Sequence, residues 1–320
     1  MSIKSVFVIA ALSLGSLVAA LPTTGASKYQ QFELAKRQNA TRPAMNASGL
    51  TDVDILQFAL TLENLEGAFY AQGFSKFPDS DFMALGLMAA DVTNLKSIAT
   101  TEQTHVTTLT AAIAGAGFKP VQPCTYNFGF TTAAAMVATA GNLENIGVSA
   151  YLGAAPLVQM PAILTVAAEI LTVESRHQTL IRTLAKTAAI PSAFDTPLGV
   201  RSVFSLAAPL ISSCPDGSNL KITAFPALTL APMPAMANST TMPVGTRLTV
   251  MGSPAGATNC AFSNGGAPGG TIYVTFENGG CAVPQGVAGI TYMHLTSSAP
   301  QGNILTDSIV VAGVQVLNVS

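Results

Sequence analysis

Glu102-Gln103-Thr104-His105 and Glu174-Ser175-Arg176-His177 are the two stretches whose reading decides the fold. The chain has only three histidines in 320 residues, and two of them stand three residues after a glutamate. That spacing puts both side chains on one face of an α-helix, so each stretch offers a carboxylate and an imidazole together. A second regularity precedes each pair. Leu62-Glu63-Asn64-Leu65 is followed by Tyr70, and Leu143-Glu144-Asn145-Ile146 by Tyr151, each tyrosine seven residues after its glutamate. The order of a Leu-Glu-Asn segment and then a Glu-x-x-His segment thus occurs twice. Such a repeat predicts a helical bundle with approximate two-fold symmetry and a symmetric site on its axis.

The surrounding texture agrees. From about Asp52 to Ala189 the chain is rich in Ala, Leu and Met, and Pro is confined to breaks at Pro78, Pro120/Pro123 and Pro156/Pro161. These breaks predict helices over Asp52–Phe74, Asp81–Gly115, Thr131–Ala154 and Pro161–Ala189, with a shorter fifth helix near Leu198–Ile211. Each of the four exceeds ~20 residues, against ~11–12 for an average helix, which favours a bundle.

Burying Glu63, Glu102, Glu144 and Glu174 with His105 and His177 in so apolar a bundle is costly unless the charge is balanced. Two divalent cations carry +4 against the −4 of four carboxylates, and one Glu from each of two helices plus Glu-x-x-His from each of the other two is a known dimetal ligand set. Oxygen and imidazole donors suit two iron or two manganese ions. Glu66, one turn beyond Glu63, competes for the first-helix place, but the repeat favours Glu63 because Gly147 stands opposite Glu66. Tyr70 and Tyr151 read first as packing aromatics, with hydroxyl donation toward the ligands as the alternative. Exposed helix-surface residues, or a degenerate site kept without metal, are the competing accounts of the six side chains.

Leu56–Tyr70, Thr101–His105, Leu143–Ala154 and Leu171–His177 resemble the ferritin-like domain of fungal secreted stress-response and desiccation-related proteins. The resemblance covers roughly residues 50–190. It implies the bundle fold and a di-iron-type site in which Glu63 and Glu144 are bridging or terminal carboxylates. Glu102 with His105, and Glu174 with His177, then complete the two metal shells.

After Cys214 the texture changes to Pro, Gly, Thr and Val with period-two runs: Lys221–Phe225, Thr246–Val250, Thr271–Phe276, Gly289–Leu295 and Ile309–Val319. These predict a small antiparallel β-sandwich over 214–320, following a bundle over 50–212, so the class is α+β multidomain. His294, in one of these runs, reads as structural or exposed. The four cysteines are even in number with no Cys-x-x-Cys, which favours two disulfides. Cys260–Cys281 and Cys124–Cys214 are the preferred pairs, with the other two pairings left open.

Residues 1–20 read as a signal peptide, with Lys4, the apolar run Val6–Leu17 and small residues Val18-Ala19-Ala20, and the dibasic Lys36-Arg37 suggests a pro-segment over 21–37. Sequons at Asn39, Asn46, Asn238 and Asn318 agree with a secreted, possible cell-wall glycoprotein. A formal charge of −2 without Lys/Arg clusters excludes nucleic acid as a partner, and no transmembrane segment is expected in the mature chain. The expected function is peroxide or oxygen chemistry at the dimetal centre. The rival is a non-catalytic structural or metal-binding surface protein whose β domain contacts cell wall or a protein partner.

Overall fold

The computed structural model describes residues 49–216, 222–232, 241–252 and 254–320. The expected signal peptide, the pro-segment and the sequons at Asn39, Asn46 and Asn238 lie outside the described residues. Four long helices form the first body: α1 Asp52–Lys76, α3 Ala89–Gly115, α4 Ala133–Ala154 and α5 Pro161–Leu184, with a short α2 Asp79–Met83 and a further α6 Val200–Ala207. Their starts are locally encoded. Thr51 and Asp54 cap α1 reciprocally, the Asp54 N–H donating to the Thr51 hydroxyl at 3.2 Å and the Thr51 N–H to the Asp54 carboxylate at 2.8 Å. Thr132 Oγ1 accepts from the Ala135 N–H at the head of α4. Asp52 accepts the N–H groups of Gln159 and Met160 at 2.9 and 2.8 Å, which fixes the start of α5 beside the start of α1.

The apolar residues fall into two plugs. At one end Leu56, Leu60, Leu109, Ile113, Ile163, Val166 and Ile170 pack together. At the other, Phe69, Phe77, Phe82, Phe128 and Phe130 form an aromatic cluster with edge-on contacts such as Phe69–Phe128 at 5.1 Å. Each long helix contributes to both plugs, so their order along each chain segment gives the topology. α1 and α5 run from the aliphatic to the aromatic end, and α3 and α4 run the other way. Residues 116–132 therefore traverse the bundle as one long crossover, which brings Phe128 and Phe130 to the aromatic plug.

Two helix boundaries differ from the sequence reading. The expected helix Asp81–Gly115 is broken, because Gly86 takes a left-handed φ of 89° between α2 and α3. The fourth helix ends at Leu184 rather than Ala189: Lys186 adopts φ 57°, and the Thr187 N–H returns to the Arg182 carbonyl.

Antiparallel sheets follow. β5 Thr271–Thr275, β4 Asn259–Ser263, β7 Gly289–Thr296 and β8 Val310–Val319 form a four-stranded sheet in that order. β3 Arg247–Thr249 pairs with β6 Gly280–Ala282. Leu248, Cys281, Val283, Phe262, Met293, Leu295 and Leu317 fill the core between them. Cys260 on β4 and Cys281 on β6 are disulfide-bonded across that core, and Cys124–Cys214 ties the crossover to the segment after α6. There β1 Thr125–Tyr126 pairs with β2 Ile211–Ser213. The expected strand Lys221–Phe225 is a correction. Residues 222–225 join no ladder, because their backbone is held by α6: Arg201 Nε donates to the Thr223 carbonyl at 2.8 Å and the Phe225 N–H to Ser205 Oγ at 2.8 Å.

The sheets dock on the second half of the bundle. Tyr292 of β7 places its hydroxyl 2.7 Å from both Asn145 Nδ2 and Ser149 Oγ of α4. His294 is wholly buried, its Nε2 2.9 Å from Ser202 Oγ of α6 and its ring edge-on to Phe225. Burial pushes its pKa down to about 3, from an ordinary value of 6.5. A depressed pKa means that the fold holds the neutral ring. That contribution is complete above pH 6.5 and is lost as pH falls from there toward 3, at about 1.4 kcal/mol per pH unit. Chemical denaturation between pH 7 and 4 should show His294→Gln losing less stability than the parent across this window. Parallel curves for the two proteins would remove His294 from the acid response.

Candidate metal centre

Between the two apolar plugs, one level of the bundle is polar. Glu63, Glu66, Glu102, Glu144, Glu174, His105 and His177 are all buried there, with Glu102, Glu144 and Glu174 at 0% exposure. The six side chains expected from the sequence converge. His105 Nδ1 lies 3.1 Å from Glu174, 3.2 Å from Glu63 and 3.3 Å from Glu102. His177 Nδ1 lies 2.8 Å from Glu102 and 3.2 Å from Glu144. Two overlapping groups result, Glu63/Glu102/His105/Glu174 and Glu102/Glu144/Glu174/His177. In each, one ligand atom per residue lies within 4.8 Å of all the others.

One imidazole N–H donates well to a single acceptor, yet three carboxylates crowd His105 Nδ1. Glu63 Oε2, Glu102 Oε1 and Glu174 Oε1 have only these crowded ion-pair contacts and no hydrogen bond of good geometry, and Glu174 Oε2 has neither, despite complete burial. Buried oxygens left this way are expensive, and a cation at the point where they converge satisfies them. The donor set thus fits a pair of metal ions, with Glu102 and Glu174 common to both groups.

The electrostatics carry the same message. Burial opposes charge on both imidazoles, but the neighbouring carboxylates prevail, lifting His105 to about 12 through Glu102, Glu174 and Glu63, and His177 to about 9 through Glu102 and Glu144. Burial raises Glu63 to about 7. Burial and then the other acids hold Glu66 and Glu174 well above the usual carboxylate range. Glu102 goes the other way: burial acts against its charge, but both imidazoles bond to it and draw it down to about 2. Cationic groups are what this cluster attracts.

Tyr70 and Tyr151 correct the reading of them as packing aromatics. The Tyr70 hydroxyl donates to Glu144 Oε1, and the Tyr151 hydroxyl to Glu63 Oε1 at 2.5 Å. The bonds are reciprocal across the pseudo-two-fold, since each helix of the α1/α4 pair supplies the phenol for the other's glutamate. Two turns of helix, the seven-residue spacing, was the signal for this. Thr101 was not anticipated: its Oγ1 lies 2.8 Å from His177 Nε2 and holds the ring with Nδ1 turned inward. Val173 occupies the equivalent place in the second half, where no hydroxyl is available. Glu66, set aside in favour of Glu63, is buried beside the cluster as well. Glu169, five residues before Glu174 on the same helix, is exposed and takes no part in the cluster.

Among the described residues no helix is long and apolar enough to cross a membrane. The two disulfides fit an oxidising compartment. Residues 51–187 match the family described as the ferritin-like domain. Protein rds1 of Schizosaccharomyces pombe is 27% identical over 203 residues, covering 63% of this chain and 50% of that protein, so the likeness spans only half the relative's length. The match begins at the cap of α1, ends just past α5 and encloses every residue of the cluster, so the bundle of residues 51–187 is similar to the ferritin-like domain family along its whole length.

Proposed function

We propose that Glu63, Glu102, His105, Glu144, Glu174 and His177 hold two iron or two manganese ions in a secreted protein. The centre reacts with dioxygen or peroxide in stress defence. The observation that carries this is the pair of overlapping ligand groups sharing Glu102 and Glu174. Glu102 and Glu174, common to both groups, would be available to both ions, while Glu63 and Glu144 would each serve one and are held by Tyr151 and Tyr70. When bound, such a pair supplies one-electron steps between the +2 and +3 states. The chain's own contribution is positional. Thr101 orients His177, the phenols restrain Glu63 and Glu144, and the aliphatic and aromatic plugs close both ends of the site to bulk water. Two disulfides and the N-terminal signal-like stretch support secretion.

One observation favours a second reading. Protons on His105 and His177 already offset part of the acid charge, so a bundle kept without metal as a scaffold is physically reasonable. Elemental analysis of protein purified from a secreting host separates the two. The dimetal reading expects close to two iron or manganese per chain, and peroxide or oxygen turnover lost in His177→Ala. Metal well below one per chain, with no turnover on reloading, would sink it in favour of the scaffold.

A further inference from the structure

The two halves of the bundle are not equivalent, and the largest departure lies inside the site. Glu63 and Glu144 correspond, as do Tyr70 and Tyr151, yet three residues after the first glutamate stands Glu66 and three after the second stands Gly147. These two positions face each other. A Cβ placed on Gly147 would lie 3.3 Å from Glu66 Oε1 and 3.0 Å from Glu174 Oε2. The missing side chain on α4 is therefore the room that the Glu66 carboxylate and one Glu174 oxygen occupy. Glu174 Oε1 is the oxygen turned toward His105, whereas Oε2 and Glu66 Oε1 border the same space beside Gly147. It is 4% exposed, and unlike the other four acids it is bonded to neither histidine and to neither tyrosine. A buried carboxylate without those partners, bordering the same space as a Glu174 oxygen that has no hydrogen bond, is placed to share a cation with it.

We propose that Glu66 is a seventh protein ligand of the dimetal centre, extending it on the Glu174 Oε2 side and making the two metal positions unequal. This rests on the dimetal reading above and goes beyond its six-residue set. Charge gives the consequence. Four carboxylates balance two +2 ions, whereas five balance one +2 and one +3 ion. Glu66 thus favours the oxidised state of one metal, and the asymmetry of the repeat becomes an asymmetry of the ions.

Manganese(II) alone is the probe, titrated into the full chain by calorimetry and followed by electron paramagnetic resonance. Glu66→Gln keeps the volume but removes the anion. The wild-type chain should take up two ions in unequal steps. Glu66→Gln should weaken one step at least ~10-fold, in line with losing one carboxylate, and alter the two-ion signal while its thermal midpoint without metal does not fall. Gly147→Ala, which pushes both carboxylates away, should weaken the same step. Two ions bound by Glu66→Gln with wild-type constants and spectrum would overturn the role of Glu66 and leave the six-residue centre standing. A wild-type chain that fails to bind two ions would overturn the dimetal reading itself.

Discussion

Glu102→Gln is expected to abolish binding at both metal positions, whereas Glu63→Gln and Glu144→Gln each abolish one. Glu102 belongs to both ligand groups, and its carboxylate lies within 3.3 Å of both histidines, whereas Glu63 and Glu144 each serve one group. Gln preserves size and one carbonyl donor but removes the charge and one oxygen donor. A loss of at least ~100-fold in affinity at each affected position, about 2.7 kcal/mol, is the scale expected for a ligating carboxylate. Metal per chain after exhaustive dialysis should then read near zero for Glu102→Gln and near one for the Glu63 and Glu144 variants, with helical circular dichroism unchanged. Retention of two ions by Glu102→Gln would refute the assignment of Glu102 to both positions. So would equal losses in all three variants.

The site was legible in the sequence because its chemistry is carried by periodicity. Glu102 and His105, like Glu174 and His177, need only a helix to become neighbours, and the repeated Leu-Glu-Asn motif supplies the opposing pair. What periodicity does not encode is which of two similar residues a neighbouring helix makes room for. Glu66 and Glu63 lie one turn apart on the same helix, and only the distance to Gly147 on α4 shows that both are accommodated. Tyr70 and Tyr151 were visible as a spacing, but their hydroxyl partners lie across the bundle, 74 and 88 residues away in sequence. The Asn of the repeat was equally ambiguous. Asn145 is committed to Tyr292 of the sheet and accepts from Gln178, while Asn64 is only half-buried, so identical motifs perform different duties in the two halves.

The sheet region was harder for a different reason. Both preferred disulfides are present, and four of the five alternating runs form strands. The short strands Asn259–Ser263 and Gly280–Ala282 escaped because they are defined by their partners, one lying between β5 and β7 and the other pairing with β3. Lys221–Phe225 failed because alternation reports a surface with two faces, not a ladder. Those backbone groups are satisfied by Arg201 and Ser205, which lie in a helix that no local pattern connects to them.

Metal and stability should be coupled strongly, and in a direction that distinguishes a centre built for ions from a charged core that happens to be tolerated. Adding manganese(II) to metal-stripped protein at ~100 times its dissociation constant stabilises by about 2.7 kcal/mol per site. Two sites would raise the midpoint by on the order of 10 °C. The complementary expectation concerns Glu174→Leu. Glu174 Oε2 is buried with no partner, Oε1 has only its share of the crowded His105 Nδ1, and its carboxyl is held well above the ordinary range by burial and by the other acids, so in the stripped protein this residue is a liability. His105 keeps Glu63 and Glu102 when Glu174 is removed, and His177 pairs with Glu102 and Glu144, so neither imidazole is stranded. Replacing such a group by an apolar one should stabilise the stripped protein by roughly 1–4 kcal/mol, while erasing the rise produced by manganese. Differential scanning calorimetry of both proteins, with and without metal, reads all four values. A wild-type midpoint indifferent to manganese, or a stripped Glu174→Leu less stable than its parent, would mean that the cluster is balanced by its own protons and histidines. A protein that sacrifices stability without metal and regains it with metal has the thermodynamic signature of a working ion site.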